Sequence, residues 1–256
     1  MVVRGLKAVL KRTMPGKLVR SRAFTAFQCV DKSTGRATGK KLSGVTRRLE
    51  EHVWSGASVV IPTDASKPRA TSGGFRRGKL IDAQVTRMVN TYSAKARGEM
   101  RMMRLTRMCF LALQHHRLEP LIAQRVVVDA RRGIATACDV VCHRKTDNAI
   151  VIVELKTGYA CDRSSGILGA GRKALKMKSP LSTAKDSIVH RHLAQLAVTH
   201  ALFCSEEGTL EEVKALGVSN IEGAVLYVCE TYGSELFALT DWWKRRQMRL
   251  LDAISP

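Results

Sequence analysis

The sequence predicts an α/β fold: a mixed central β-sheet flanked by helices, preceded by a basic, largely irregular N-terminal extension. Three observations predict it. Apolar, β-branched runs at 123–128, 134–142 and 149–155 have the length and composition of strands. Helical periodicity brackets them, from 80 to 118 on one side and from 187 to 203 on the other. The charge excess is densest ahead of all of them. The 256 residues accordingly divide into an extension over 1–77 and a folded domain over 78–256.

Near the start, Val2, Val3, Leu6, Val9 and Leu10 make the apolar stripe of a short helix ringed by Arg4, Lys7, Lys11 and Arg12. Asp31 is the first acid, after seven basic residues. Such a start fits a mitochondrial transit peptide, a nucleic-acid-binding arm and a solvated tail alike, and composition does not separate them. Residues 32–79 are rich in Ser, Thr, Gly and Lys. They predict irregular chain with a short helix near 45–53 and a short strand at Val59-Val60-Ile61. Leu80, Ile81, Val85, Met88 and Val89 follow helical spacing, and a second helix is expected from Ala94 to Leu118, ended by Pro120.

The runs 123–129 and 134–142, joined by Ala130-Arg131-Arg132-Gly133, read as a hairpin. The run Ala149 to Lys156 is apolar on both faces and reads as a central strand. A Lys-rich connection over 159–186 leads to a helix at 187–203. Strands at 224–229 and 236–239 and a closing helix at 241–251 complete the order.

Lys and Arg number 43 against 22 Asp and Glu, a formal net charge of +21. Residues 1–70 hold 15 of the cations and only 4 acids. This excess favours a polyanionic partner, nucleic acid before an anionic membrane surface. No apolar run is long enough for a transmembrane helix. Seven irregularly spaced cysteines do not form a secreted disulfide framework and predict an intracellular, reducing compartment.

Asp139, Glu154 and Lys156 stand inside apolar strands, where burial costs several kcal/mol unless the charge is paired or binds a metal. Residues i and i+2 of a strand share a face, so Glu154 and Lys156 project together. With Asp139 on the neighbouring strand, two carboxylates would converge on a hard-oxygen site suited to Mg²⁺ or Mn²⁺, beside an ammonium. The plain alternatives are a hairpin-edge aspartate paired with an arginine and a strand-end Glu–Lys ion pair. Cys138 and Cys142 are expected to face away from Asp139 together, without the ligands for a zinc site.

The order of hairpin Asp139, then Glu154-Leu155-Lys156, then a helix bearing Gln195 resembles the PD-(D/E)XK nuclease superfamily. Ser179-Pro180-Leu181 through His192-Leu193-Ala194-Gln195-Leu196 is similar to its RecB-like and lambda-exonuclease-like branch, which includes nucleases of large DNA viruses. The resemblance covers about residues 78–240. It implies a restriction-endonuclease-like core and a Mg²⁺- or Mn²⁺-dependent deoxyribonuclease, an exonuclease or end-processing enzyme of repair, recombination or replication. Asp139 and Glu154 would hold the metal with the Leu155 carbonyl, Lys156 would position water, and Gln195 would hold the site. A further acid from the first helix would be Asp82, with Glu99 in reserve. Arg163, Arg172, Lys173, Lys176, Lys178, Lys185 and His192 would meet the DNA. The compartment would be the nucleus or cytoplasm of an infected cell, or a mitochondrion if the start is a transit peptide. Two departures stand out: Thr199 where the branch carries Tyr, and Cys138 where the name has Pro. The reading from another class is a non-catalytic nucleic-acid-binding or packaging protein on the same fold.

Overall fold

The structure, a computed structural model, describes residues 2–12, 17–20, 26–30, 37–55, 73–157, 175–230 and 233–255. Among them run α1 (Val2–Arg12), β1 (Lys17–Arg20), β2 (Ala26–Val30), β3 (Ala37–Gly44), α2 (Val45–His52), α3 (Gly73–Thr91), α4 (Ala94–Glu99) and α5 (Arg104–His115). Then come β4 (Leu118–Asp129), β5 (Ile134–Arg144), β6 (Ala149–Thr157), α6 (Ile188–Cys204), α7 (Glu207–Ala215), β7 (Asn220–Cys229), β8 (Gly233–Ala238), α8 (Asp241–Lys244) and α9 (Gln247–Ala253).

The strands form one mixed sheet in the order β1-β2-β3-β5-β6-β7-β8, with β4 paired to β5 off that path. The β4–β5 hairpin closes over Gly133, whose φ of 60° suits glycine at the end of a tight turn. β6 lies antiparallel to β5 and parallel to β7, so it is central, as its two apolar faces require. Helices cover both faces. One core packs α1, α2, α6 and the C-terminal helices through Leu6, Leu49, Leu196, Phe203 and Leu250. The other packs α3 and α5 through Ile81, Val85, Cys109 and Leu113. This is the α/β class with a mixed sheet between helices that the periodicity predicts. No described helix is long and apolar enough to cross a membrane.

Several boundaries differ from expectation. The single helix expected over 94–118 is two, because Met100 and Met103 leave helical geometry (ψ 146° and 148°). Pro120 does not end a helix; it sits in β4, which among the described residues pairs with β5 alone, so that a missing N–H costs little. The helix α7 was not expected, and the closing helix is broken into α8 and α9. Residues 77 and 78, where the composition changes, lie inside α3. The expected helix near 45–53 is α2, and β3 precedes it. The strand expected at 59–61 falls outside the described residues. The basic start is α1, whose Leu6 and Leu10 are fully buried in the core shared with α6.

Candidate active site

The site lies where β5 and β6 part. Their ladder runs from Arg144↔Ala149 to Val140↔Val153 and stops there. The next residues on each strand are Asp139 and Glu154. Among the described residues no strand pairs with the β6 side of 136–139. The Asp139 carboxylate takes up a released ladder group: Leu155 N–H donates to its Oδ2 at 2.9 Å.

Glu154 is 2% exposed, the first β6 residue beyond the β5 ladder and still paired with β7. Its Oε1 accepts from Lys156 Nζ at 2.7 Å and from Gln195 Nε2 at 2.7 Å. Gln195 reaches it because α6 lies close on the sheet: a Cβ on Gly223 would sit 3.2 Å from the side chain of the adjacent Leu196. Burial pushes the Glu154 carboxyl up to about 7, the charges of Asp139 and Asp82 push it the same way, and Lys156 opposes them. A carboxylate hidden from water among two other acids is a place where further positive charge is stabilising.

Asp82, on α3, joins through an amide that the sequence did not single out. Gln124 Nε2 donates to Asp82 Oδ1 at 3.0 Å and to Asp139 Oδ1 at 3.2 Å. Gln124 has φ 54°, a left-handed backbone in the middle of β4. Around it the strands change face. Cys138 belongs to the α6 core, whereas Val140 and Cys142 belong to the α3–α5 core. Cys138 and Cys142 therefore face opposite layers, not the same one, because strict alternation fails at Asp139. Burial raises both thiols well above their ordinary range, as inert core cysteines.

The other expected residues fall as follows. His192 Nδ1 is 2.7 Å from the hydroxyl of Tyr227, the β7 neighbour of Lys156 in the parallel register. Burial, then Lys156 and Arg191, hold this histidine well below its ordinary range, so it is neutral. Thr199 donates to the Gln195 carbonyl at 2.9 Å, back along its own helix rather than into the site. Lys176, Lys178 and Lys185 are exposed on the segment before α6, where Lys176 and Lys185 form a β-bridge and Lys178 Nζ binds the Glu51 carbonyl. Arg163, Arg172 and Lys173 lie outside the described residues. Glu99, at the end of α4, is exposed.

Among the described residues no three His, Cys, Asp or Glu side chains converge as a ready-made metal cage. The donors at hand are the two carboxylates of Asp139 and Glu154, with Asp82 held one amide away. Such hard oxygen donors fit Mg²⁺ or Mn²⁺, which keep several waters and ask for one or two protein carboxylates. Comparison with protein-family models, curated proteins and solved structures found no match for this chain.

Proposed function

We propose that the chain is a divalent-metal-dependent nuclease that hydrolyses phosphodiester bonds of DNA, working as an exonuclease or end-processing enzyme. The observation that carries this reading is the buried Glu154 carboxylate, flanked by Asp139 and Asp82 and gripped by Lys156 and Gln195. A structural ion pair would need one acid for one ammonium; here Asp139 and Glu154 both stand where the β5–β6 ladder ends, and Asp82 is tied to Asp139 through the Gln124 amide. Mg²⁺ or Mn²⁺ held by Asp139 and Glu154 would supply Lewis acidity and a lowered pKa for water. The chain's own groups do the rest. Gln195 fixes the orientation of the Glu154 carboxylate. Asp139 is fixed by the Leu155 amide and by Gln124. Lys156 brings its ammonium to charge developing on a phosphate.

The test is digestion of end-labelled duplex with and without Mg²⁺, by the natural protein and by Glu154→Gln and Asp139→Asn. Loss of these groups should reduce cleavage by about 10² or more, with the circular dichroism of the fold unchanged. Equal cleavage by all three, or none by any, would favour the non-catalytic nucleic-acid-binding reading.

A further inference from the structure

The basic start and the cations between α3 and α5 meet in space. Between Asp82 and Glu119 the chain holds seven Lys and Arg and one acid, Glu99. Arg87, Lys95, Arg101, Arg104 and Arg107 are all exposed. The Arg87 side chain touches the Tyr92 hydroxyl, at 3.3 Å, and the side chains of the other four have no hydrogen bond or ion pair among the described residues. Arg104, Arg107 and Leu111, at i, i+3 and i+7, share the outward face of α5.

Three contacts make these elements one surface. Lys7 Nζ of α1 donates to the Val89 carbonyl of α3 at 3.2 Å. Gln84 of α3 accepts the Met103 N–H at the start of α5 at 3.0 Å. The Arg97 guanidinium of α4 lies 5.6 Å from the Phe110 ring of α5. Arg12 is engaged by Glu212 and stands apart from this group. Lys7 is held below its ordinary range, by burial first and then by the charges of Lys11 and Arg97, so α1 and α4 bring like charges together. Fixed like charges repel one another. From Asp82 to Val89 along α3 is about 10 Å at 1.5 Å per residue, so the surface adjoins the candidate site.

We propose that this cationic face, formed by Lys11 of α1, Arg87 of α3, Lys95 of α4 and Arg101, Arg104 and Arg107 at α5, is the track for the DNA backbone leading to the carboxylates. It rests on the reading of the chain as a DNA-acting protein but not on catalysis. Phosphates spaced along a duplex neutralise such a row by counterion release, and no shape-matched pocket is required. The expected Lys-rich connection before α6 would then add to this track rather than form it.

The experiment is fluorescence anisotropy of a labelled duplex in EDTA, titrated with salt. The full chain is compared with Arg101→Glu/Arg104→Glu/Arg107→Glu, with Lys11→Glu/Lys95→Glu, and with a control reversal, Arg131→Glu/Arg245→Glu/Arg249→Glu. The triple reversal on the track should weaken binding at least about tenfold and lower the salt slope by roughly 2–3, and the double reversal should lower it by roughly 1–2. The control should do neither. Equal losses in track and control variants would overturn the proposal, since net charge alone would then explain binding. So would no binding of duplex at low salt, or binding only of anionic lipid vesicles. Because EDTA removes turnover, a chain that binds as expected but never cleaves refutes the nuclease and leaves the track standing.

Discussion

Replacing Gln124 by alanine tests the geometry of the acidic cluster directly. The amide nitrogen lies 3.0 Å from Asp82 Oδ1 and 3.2 Å from Asp139 Oδ1, so those oxygens are no more than about 6 Å apart. Two unit charges at about 6 Å repel by roughly 3 kcal/mol at an effective dielectric of about 20. The amide interposes two hydrogen bonds to charged acceptors, each worth about 1.5–3 kcal/mol when well buried and about half that here, where all three side chains are partly exposed. After the carboxylates relax apart, Gln124→Ala should cost about 3 kcal/mol. For a chain of this size that is a fall in Tm of roughly 6–12 °C. Thermal unfolding followed by circular dichroism reads it. Gln124→Glu adds a further acid between Asp82 and Asp139 and should fall further. Millimolar Mg²⁺ should return part of the loss in both, because a divalent cation replaces the missing donor. A Tm for Gln124→Ala within about 1 °C of the natural protein would refute the bridging role, and a deficit untouched by Mg²⁺ would refute a cation seat there.

Two further predictions concern buried charge. The Arg125 guanidinium is 0% exposed, donates to Glu206 Oε2 at 2.6 Å and lies 4.9 Å from the Phe203 ring. Arg125→Met should cost about 3 kcal/mol in urea unfolding, the low end for a broken buried pair because Glu206 keeps some contact with water, and adding Glu206→Gln should recover part of it; an additive second loss would show that the pair is not what matters. For Glu154, the folded carboxyl is raised above its ordinary 4.5, so the folded state binds the proton more tightly than the unfolded chain. Metal-free stability should then fall as pH rises from about 4.5 to about 7, by on the order of 3 kcal/mol, and level off above. Glu154→Gln should flatten that fall; an unchanged profile in this variant would assign the pH dependence elsewhere.

Much of the fold is legible because its strands are apolar runs with few alternatives. Ile150, Val151, Ile152 and Val153 are all buried, as a central strand demands. The pairing of Glu154 with Lys156 follows from a period of two, whereas Gln195 is expected only from the resemblance, and it does meet Glu154. Gln124 was not legible, since a left-handed residue inside a strand breaks the alternation on which such readings depend. The same break put Cys138 and Cys142 on opposite faces. Propensity continues a helix through 100–103, while the Gln84 side chain, far away in sequence, accepts the Met103 amide and helps to fix a new helix start. Burial of Leu6 and Leu10 depends on β4 and α7, which a window on the first 12 residues does not contain.

The attachment of β3 to β5 has a mechanical consequence. Only two rungs join them, Ser43↔Ile134 and Gly44↔Ala135, at the hairpin end of β5. Asp139, by contrast, is anchored from the other directions, by the long β4 ladder and the Leu155 amide. Force applied to the β1–β3 meander would load those two rungs first and then α2, which packs on α6. Insertions, fusions or partner strands on that flank therefore reach the carboxylates by two routes, the short β3–β5 ladder and the packing of α2 on α6, whose Gln195 holds Glu154.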